Sequence, residues 1–219
     1  MRIIISSGGT EEPIDSVRRI SNFSTGNTGA HLANYFASRD AKVTLIRGQN
    51  AASSMFSGIM EYSYQSHHDL REILRSQLGG KYWDAIIHLA AVGDYTVERI
   101  QVDGNDFPIG GHGKIPSGHR VLLHLQPSEK ILESLREWSL SSSICVVAFK
   151  LTSGGRGAPA AGAISKRKIA DYVVHNSLPD IGPRKHLSGI WKAGELIKST
   201  RTKDELSRAL YELLAREKK

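Results

Sequence analysis

The sequence predicts an α/β fold: a Rossmann-like, mostly parallel sheet with helices on both faces. Short β-branched runs alternate along the chain with stretches whose apolar residues recur at helical spacing, as expected of βαβ units. Residues 84–90 form a nearly continuous apolar run of strand length, which is typical of a strand covered on both faces. The 219 residues suffice for one domain with a buried core, so we predict a single domain over residues 1–219.

The first half of the chain predicts five elements in a regular order. Residues 2–6 contain three isoleucines and lead into a polar, glycine-containing turn, which predicts the first strand and its end. Residues 28–39 carry Leu32, Ala33 and Phe36 at helical spacing, so we expect a helix there. A strand at 42–46, a helix at 67–77 and the apolar strand at 84–90 follow.

The second half continues the alternation after one interruption. Residues 96–118 are rich in glycine and include two prolines, so we expect a long loop that acts as a flap or dimerisation arm. Ser128 is a suitable N-cap for a helix over 128–138, because serine side chains accept hydrogen bonds from the first helical N–H groups. Two buried strands at 144–151 and 171–175 and an amphipathic helix at 202–219 complete the chain.

The composition excludes several classes of protein. Lys and Arg number 29 against 22 Asp and Glu, a net charge of +7 that suits nucleic acid or small anionic ligands as partners. No apolar run has the length of a membrane helix, so no membrane partner is expected. Cys145 is the single cysteine, which excludes an internal disulfide and suits a cytoplasmic protein. The nine histidines lack the spacing of metal ligands, so no metal site within the protein is predicted.

Two glycine-containing turns are the first candidate site. Gly8 and Gly9 follow the first strand, and Gly26 and Gly29 lie where the first helix is expected to begin. Small residues let backbone N–H groups approach an anion, and a helix N-terminus adds a favourable dipole. The pattern fits a phosphate cradle, but it also fits a tight turn followed by a helix cap. Neither the Gly-x-x-x-x-Gly-Lys nor the Gly-x-Gly-x-x-Gly spacing is present to decide between them.

A carboxylate and several basic residues are further candidates. Asp94 follows the apolar strand at 84–90, and ligands of open α/β sheets bind beyond the carboxyl ends of strands. It could hold a hydroxyl, an ammonium or a magnesium ion, or it could cap the next turn. Lys114 lies in the glycine-rich segment, where a lysine could close over phosphate charge or remain a solvated surface residue. Arg18 precedes the second glycine turn, and Lys168 precedes the last predicted strand.

Taken together, these residues resemble the phosphopantothenate–cysteine ligase family. The strongest match is residues 6–29, which are close to the family's Gly-Gly-Thr…Pro-Ile-Asp-x-Val-Arg…Asn-x-Ser-[ST]-Gly-x-x-Gly pattern. Further matches follow in the family's order at residues 90–95, 113–117, 146–150 and 171–176. The segment 113–117 resembles stand-alone bacterial forms more than forms fused to a flavin-dependent decarboxylase. The resemblance therefore implies a stand-alone ligase without a flavin.

The resemblance also implies roles for individual residues. Asn22 would hold an acyl-nucleotide intermediate, and Lys114 on the flap would stabilise charge during its formation. Arg18 would bind the phosphate of phosphopantothenate, in the family typically across a dimer interface. Three residues would line the shared pocket for substrate and nucleotide: Ala90, Ala91 and Asp94. The residues implied in nucleotide binding are Gly8, Gly9, Ser24, Gly26, Gly29, Phe149, Lys168 and Asn176.

The implied reaction joins 4′-phosphopantothenate to L-cysteine with a nucleoside triphosphate, CTP or ATP, and magnesium. It needs no nucleophile from the protein, which agrees with the absence of a Gly-x-Ser-x-Gly elbow from the sequence. The resemblance further implies small-molecule substrates, a homodimer and no nucleic-acid partner. Two alternatives stay open: a nicotinamide-dependent Rossmann-type reductase, and a non-catalytic ligase-like nucleotide-binding protein.

Overall fold

Thirteen strands and five α-helices are found in a computed structural model, which describes residues 1–110, 113–154, 157–182 and 185–217. The first half contains β1 (Arg2–Ser7), β2 (Glu11–Pro13), β3 (Arg19–Ser21), α1 (Asn27–Ala37), β4 (Lys42–Gly48), β5 (Met60–Tyr64), α2 (His67–Gly80) and β6 (Ala85–His88). The second half contains β7 (Tyr95–Val102), β8 (Asn105–Phe107), β9 (Val121–Pro127), α3 (Ile131–Trp138), β10 (Cys145–Thr152), α4 (Gly157–Lys166), β11 (Tyr172–Ser177), β12 (Ser188–Lys192), β13 (Glu195–Thr200) and α5 (Lys203–Glu217).

The central sheet confirms the predicted α/β fold with a mostly parallel sheet. Its eight strands have the order β13-β12-β11-β10-β6-β1-β4-β5. The six strands from β5 to β11 are parallel, while β12 and β13 are antiparallel to their neighbours. Numbered along the chain, the parallel strands have the 3-2-1-4-5-6 order of the doubly wound Rossmann fold. The strand order reverses between β1 and β6, so the crevice beyond their carboxyl ends is the expected ligand site.

Both faces of the sheet are covered by helices. Ile3 and Ile5 of β1 point to the face that carries α1 and α5, where they pack with Phe36 and Leu210. Ile4 points to the opposite face, which carries α2, α3 and α4. Successive strand residues alternate between faces, so a strand covered on both sides is apolar throughout. This accounts for the continuous apolar runs in the sequence.

A long insertion separates the first strand from the first helix. In place of a tight turn, residues 8–26 leave the sheet, form the hairpin of β2 and β3, and return to α1. The two ends of the insertion touch, because the Ser7 hydroxyl donates to the Gly26 carbonyl oxygen at 3.0 Å. Glu11 N–H donates to the Gln65 carbonyl oxygen, just beyond β5, at 2.7 Å. The hairpin is therefore seated at the carboxyl edge of the sheet, beside the crevice.

Part of the predicted glycine-rich loop is a small antiparallel sheet, which we call the arm. It consists of β7, β8 and β9. The expectation of a loop without strands over 96–118 was wrong, because Ile100 and Val102 alternate with polar residues as in a strand. The glycines lie in the connections, as at Gly104 with a φ of +85° between β7 and β8. Gly111 and His112, which belong to the same prediction, lie outside the described residues.

The predicted third large helix begins later than expected. Its first residue is Ile131 and its N-cap is Lys130, not Ser128. Ser128 N–H donates to the Asp94 carbonyl oxygen at 2.9 Å, which extends the pairing of β7 with β9 and keeps Ser128 out of the helix. The prediction also omitted α4 and the outer strands β5, β12 and β13. None of the helices in the described ranges has the length and apolar character needed to cross a bilayer.

Candidate active site

The carboxyl ends of β1 and β6 remain hydrogen-bonded beyond the strands themselves. Ala91 N–H donates to the Gly8 carbonyl oxygen at 2.7 Å, and Thr10 N–H donates back to the Ala91 carbonyl oxygen at 3.2 Å. Gly9 and Ala91 form an isolated parallel bridge. Ala90 precedes this bridge and is half-buried. The structure therefore brings Gly8, Gly9, Ala90 and Ala91 together at the point where the strand order reverses.

A buried histidine lies directly beneath this crevice. His88 Nδ1 lies 2.7 Å from the Ser6 hydroxyl, which also accepts a hydrogen bond from Ala90 N–H at 3.4 Å. Burial lowers the pKa of His88 to about 4, so the ring is neutral near pH 7. Because the Ser6 hydroxyl oxygen accepts the hydrogen bond from Ala90 N–H, the hydroxyl group can donate its own hydrogen to His88 Nδ1. This pair supports the turn after β6. Sequence reasoning missed it, although a polar residue in each of two adjacent apolar strands was a usable signal.

The glycine turns are packed closely against the segment that follows β4. Gly8 and Gly26 have positive φ values of +87° and +72°, and a Cβ at either position would lie 2.6 Å from the Ala51 Cβ. A Cβ at Gly9 would lie 2.5 Å from the Asn22 carbonyl oxygen. Three chain segments converge here, and only glycine fits between them. The packing thus explains why glycine is required at these positions, while the predicted binding of phosphate by the same turns stays a prediction.

The N-terminus of α1 presents backbone donors to the same crevice. Gly26 is its N-cap and provides no capping side chain, and the first turn carries no acidic residue. Thr28 and Gly29 lie in that first turn, where N–H groups have no acceptor within the helix. Ser24 is exposed on the preceding loop. Donors of this kind, together with the helix dipole, favour a phosphate or carboxylate.

Asn22 joins the loop before α1 to the segment after β6. Its side-chain Nδ2 donates to the Val92 carbonyl oxygen at 3.0 Å. Gly93 N–H donates to the Thr10 hydroxyl oxygen at 2.9 Å, which holds the same segment from the other side. Asn22 itself is exposed to the crevice region. The predicted intermediate-holding residue thus lies between the glycine turns and the predicted pocket segment.

Asp15 docks the segment of Lys114 onto the hairpin loop. The carboxylate of Asp15 is completely buried and accepts hydrogen bonds from the N–H groups of Val17, Arg18 and Ile115 at 2.8–3.0 Å. The Arg18 guanidinium adds an ion pair with Asp15 at 2.6 Å and donates to the Ile115 carbonyl oxygen at 3.2 Å. Lys114 is exposed next to the buried Ile115. The structure therefore brings Arg18 and Lys114 together.

Asp15 is held ionised by this environment. Burial raises the pKa of its carboxyl, but the hydrogen bonds from Ile115, Val17 and Arg18 and the charge of Arg18 outweigh that effect and lower the pKa to about 2. Sequence reasoning missed Asp15 as a functional residue, although it lies in the matched Pro-Ile-Asp segment. Because the Asp15 carboxylate stays ionised, the Arg18 guanidinium has an ion-pair partner within its own chain.

Asp94 has a partner that the sequence did not reveal. Its Oδ1 lies 2.5 Å from Lys130 Nζ at the start of α3. Both side chains are largely exposed at the carboxyl end of β6, so the pair is accessible to a ligand. Of the groups that Asp94 could hold, a hydroxyl, an ammonium or a magnesium ion, the structure shows an ammonium, that of Lys130 in the same chain. The two residues are 36 positions apart, and no local pattern connects them.

An arginine fixes the wall behind the glycine turns. Arg47 donates from Nε to Glu61 Oε2 at 2.8 Å and from Nη1 to the Ala51 carbonyl oxygen at 3.1 Å. This ties the end of β4 to β5 and holds Ala51 against Gly8 and Gly26. Arg47 was not predicted, because its partners are set by strand pairing and not by a motif. It is a positioning residue for the crevice.

Phe149 and Asn176 lie further along the same edge. Phe149 is near the carboxyl end of β10, half-buried against the core on the α1 and α5 side. Asn176 is at the corresponding end of β11, where its Nδ2 donates to the Leu187 carbonyl oxygen at 2.7 Å. Asn176 is buried and also supports the connection to β12. Both lie near the carboxyl ends of their strands, on the same edge as the glycine turns, and their contact with a nucleotide stays a prediction.

Lys168 is not brought to this edge. It follows α4, with its N–H donating to the Ser165 carbonyl oxygen at 3.2 Å, and it has a positive φ of +59°. Helix α4 runs antiparallel to the strands, so its C-terminus lies near their amino ends. Lys168 is therefore at the opposite edge of the sheet from the glycine turns. Its predicted role in nucleotide binding has no support from its position within one chain.

Comparison with known proteins shows the family of this chain. Residues 1–217 match the family described as the DNA/pantothenate metabolism flavoprotein C-terminal domain. The coenzyme A biosynthesis bifunctional protein CoaBC of Thermococcus kodakarensis is 31% identical, over 83% of this chain and 42% of that protein. The crystal structure of the DNA/pantothenate metabolism flavoprotein from Streptococcus pneumoniae has a TM-score of 0.84 and 25% identity, covering 99% of both chains. The C-terminal domain of a CoaBC protein has a TM-score of 0.72 and 20% identity, covering 97% of this chain and 93% of that one.

These matches correct one part of the predicted resemblance. The chain spans less than half the length of the first three curated relatives it matches, two of which are bifunctional proteins. Its match is to a C-terminal domain that also occurs in bifunctional proteins, and this family replaces the predicted stand-alone phosphopantothenate–cysteine ligase family. The motif over residues 6–29 nevertheless indicated a family of pantothenate metabolism, and the name of the matching family agrees with that. The chain belongs to the DNA/pantothenate metabolism flavoprotein C-terminal domain family.

Proposed function

We propose that this chain is a phosphopantothenate–cysteine ligase of coenzyme A biosynthesis. The observation that carries the proposal is the crevice between β1 and β6, where a glycine turn and the N-terminus of α1 lie side by side. Such a site suits the phosphate groups of a nucleotide and of a phosphorylated substrate. The family membership and the similarity to bifunctional proteins of coenzyme A biosynthesis support the same function.

The proposed reaction has two steps. The carboxylate oxygen of 4′-phosphopantothenate attacks the α-phosphorus of a nucleoside triphosphate, forming an acyl-nucleotide and releasing pyrophosphate. The amine of L-cysteine then attacks the acyl carbon, loses a proton as the amide forms, and expels the nucleoside monophosphate. Neither step requires a covalent bond to the protein, so positioning and electrostatic stabilisation suffice. Cys145 agrees with this, because burial raises the pKa of its thiol and makes it a poor nucleophile.

In this proposal each group of site residues has a separate task. Asn22 would hold the acyl-nucleotide beside the turn after β6. Lys114 would stabilise the charge that develops as pyrophosphate leaves, from the segment docked by Asp15. Arg18 would bind the phosphate of phosphopantothenate on the same side, and Asp94 would bind a polar substrate group after release from Lys130.

Magnesium would enter with the nucleotide. The parts of the chain that the structure describes contain no group of three or more His, Cys, Asp or Glu residues suited to a metal ion. Magnesium binds readily through phosphates with one or two carboxylates, and Asp94 is an accessible carboxylate of this crevice. When bound, the ion would neutralise phosphate charge. We favour CTP over ATP as the nucleotide, on the family resemblance.

The nicotinamide-dependent reductase is a weaker alternative. Dinucleotide-binding sheets place the pyrophosphate on a tight turn after the first strand and carry an acidic residue near the end of the second strand. Here the insertion at residues 8–26 replaces the tight turn. The second strand, β4, ends with Arg47 and Gly48, so it lacks the carboxylate that would bind the ribose of NAD, and Arg47, which could otherwise meet the 2′-phosphate of NADP, is bound to Glu61. Neither feature suits a dinucleotide.

The arm supports a homodimer as part of the proposal. Val121, Leu123 and Leu125 of β9 are exposed on one face of the arm. A face of this kind is suited to a second copy of the chain, which would complete the site as the resemblance implies for Arg18. We also place the enzyme in the cytoplasm, because the buried single cysteine suits a reducing compartment and its substrates are small metabolites.

A coupled pyrophosphate assay tests the function. Phosphopantothenate, cysteine, magnesium and either CTP or ATP are supplied, and we expect pyrophosphate release with at least one nucleotide. Lys114→Gln is expected to slow pyrophosphate release about 10²-fold, because a charge at the leaving group is lost. The matched control is Lys81→Gln, an exposed lysine at the end of α2 on the opposite edge of the sheet. Wild-type protein that binds nucleotide but forms no product with either one would support the non-catalytic alternative.

A further inference from the structure

Two basic side chains meet at the carboxyl ends of β10 and β11, outside the site described above. Lys150 and His175 are register partners in these neighbouring parallel strands. They point to the same face as Ala148 and Val173, the face that carries α2, α3 and α4. Both side chains are half-buried. β10 and β11 are two and three strands from β1, so the pair lies about 10–15 Å along the edge from the glycine turn.

Lys150 has no ion-pair partner among the residues that the structure describes, and the carboxylate close to His175 is already paired. That carboxylate belongs to Asp180, which is paired with Lys185 at 3.0 Å. His175 Nε2 lies 3.0 Å from the Thr152 hydroxyl oxygen. The pKa of His175 is lowered, mainly by burial. The negative charge of Asp180 raises this pKa and the positive charge of Lys150 lowers it further, and the net effect is a lowering. The imidazole is therefore neutral near pH 7 and can take part in hydrogen bonds with a ligand.

We propose that Lys150 and His175 form a second anion-binding subsite, which holds a phosphate group of a phosphorylated substrate. The inference rests on the proposed ligase function, which requires two phosphorylated molecules in one crevice. The glycine turn and the N-terminus of α1 accommodate one phosphate group, and the subsite on β10 and β11 accommodates another. The Lys150 ammonium is half-buried, so it has lost part of its hydration, and it has no ion-pair partner within the described part of the chain. Binding a phosphate there would therefore stabilise the charge of Lys150 more than binding at a fully exposed lysine.

The chemistry of the subsite suits phosphate. An ammonium donates up to three hydrogen bonds, and the imidazole and the Thr152 hydroxyl each add one donor or acceptor. Phosphate offers several acceptor oxygens and a charge that matches Lys150. The phosphate can come from the nucleoside triphosphate or from phosphopantothenate, and the experiment distinguishes these two sources.

Steady-state kinetics of Lys150 variants test the proposal. Lys150→Met is expected to raise the KM of one phosphorylated substrate by about tenfold or more, with a smaller change in kcat and no change in the KM of cysteine. The substrate whose KM rises is the one held by the subsite. Lys150→Arg keeps the charge and should restore KM to within about threefold of wild type. Lys81→Met is the control and should change neither constant. Unchanged KM values for both phosphorylated substrates in a folded Lys150→Met protein would overturn the proposal.

A direct binding measurement separates this inference from the ligase function. The imidazole resonances of wild-type protein, with His175 assigned from the variant His175→Gln, are followed by NMR during titration with phosphopantothenate or a non-hydrolysable nucleotide. We expect one ligand to shift the His175 resonance and to fail to do so in Lys150→Met. If neither ligand shifts the His175 resonance, the proposed subsite is wrong, even if the enzyme is active. A shift in a protein without ligase activity upholds the subsite and rejects the proposed function.

Discussion

Gly29 shows how much a single position depends on the absence of a side chain. A Cβ at Gly29 would lie 2.2 Å from the Ser7 hydroxyl oxygen and 2.4 Å from the Ser7 Cβ. Ser7 is fully buried at the end of β1 and cannot move away without breaking its hydrogen bond to Gly26. The close approach of α1 to β1 is therefore possible only with glycine at this position.

We predict that Gly29→Ala lowers the free energy of unfolding by about 1–3 kcal/mol, the usual effect of overpacking. Urea denaturation measures it. Gly80→Ala is the matched control, because a Cβ at Gly80 meets no atom within 4 Å. The control should be neutral or slightly stabilising, since alanine favours the helix. Equal stability of the two variants would show that α1 can shift to accept a methyl group.

The sequence alone identified important positions where the residue type reveals the structural requirement, as glycine does at turns and close contacts. Gly8 and Gly26 could be identified as special because few positions besides turns and close contacts need glycine. Arg47 and Lys130 could not, because their partners Glu61 and Asp94 are 14 and 36 positions away along the chain. Such pairs are created by strand pairing and helix packing. Only the folded structure brings these charges together.

At the scale of elements, the docking of the arm onto the hairpin depends on Asp15. Its carboxylate accepts hydrogen bonds from N–H groups of the hairpin loop and from the N–H of Ile115. A single side chain therefore joins the hairpin loop to the segment between β8 and β9. The pKa of Asp15 is lowered from 3.8 to about 2 in the folded protein. The unfolded chain therefore binds more protons between these values, and the contribution of Asp15 to stability is present above pH 3.8 and lost as the pH falls towards 2.

We predict that Asp15→Asn lowers stability at pH 7 and flattens the loss of stability between pH 4 and pH 2, as measured by urea denaturation across that range. Because the segment of Lys114 is then held less firmly, kcat/KM should fall about tenfold. Asp106→Asn, an exposed aspartate of β8, is the control and should leave both properties unchanged. A variant with wild-type kcat/KM would show that the Asp15 contacts do not position Lys114.

Elements of the central sheet were predictable, and peripheral ones were not. Strands such as β1 and β6 are buried on both faces, so their sequences are continuously apolar. The strands of the arm are largely exposed or half-exposed, and the glycines of their connections dominate the composition of residues 96–118. Helix α4 was obscured in the same way by glycine and alanine. Prediction of secondary structure from local composition is therefore least reliable for elements that bury few of their side chains.

At the scale of the whole molecule, strand order decides which predicted residues can act together. The sequence predicts parallel strands but does not determine their order, which depends on how the helices pack over the sheet. The order found here places residues after β1, β6, β10 and β11 on one edge. Lys168 precedes β11 and therefore lies on the other edge. A role for Lys168 in the nucleotide site would need a contribution from outside a single chain.

The arm is the feature that most favours association of two chains. On β9, Val121, Leu123 and Leu125 alternate with Leu122 and His124, so they share one face of the arm. Leu123 pairs with Ile100 of β7, which is completely buried, and is itself 37% exposed. An apolar face of this kind on a small three-stranded sheet is costly in water unless another surface covers it.

We predict that the purified chain is a homodimer and that Leu123→Glu makes it a monomer, because two copies of the face cannot bury the added carboxylates without partners. Sedimentation velocity measures the change in mass. Leu122→Glu adds the same charge to the opposite face of the same strand and should leave the dimer intact. Activity should fall with dissociation if the partner completes the site, and remain if it does not. A wild-type monomer at micromolar concentration, or equal dissociation of both variants, would exclude this face as the interface.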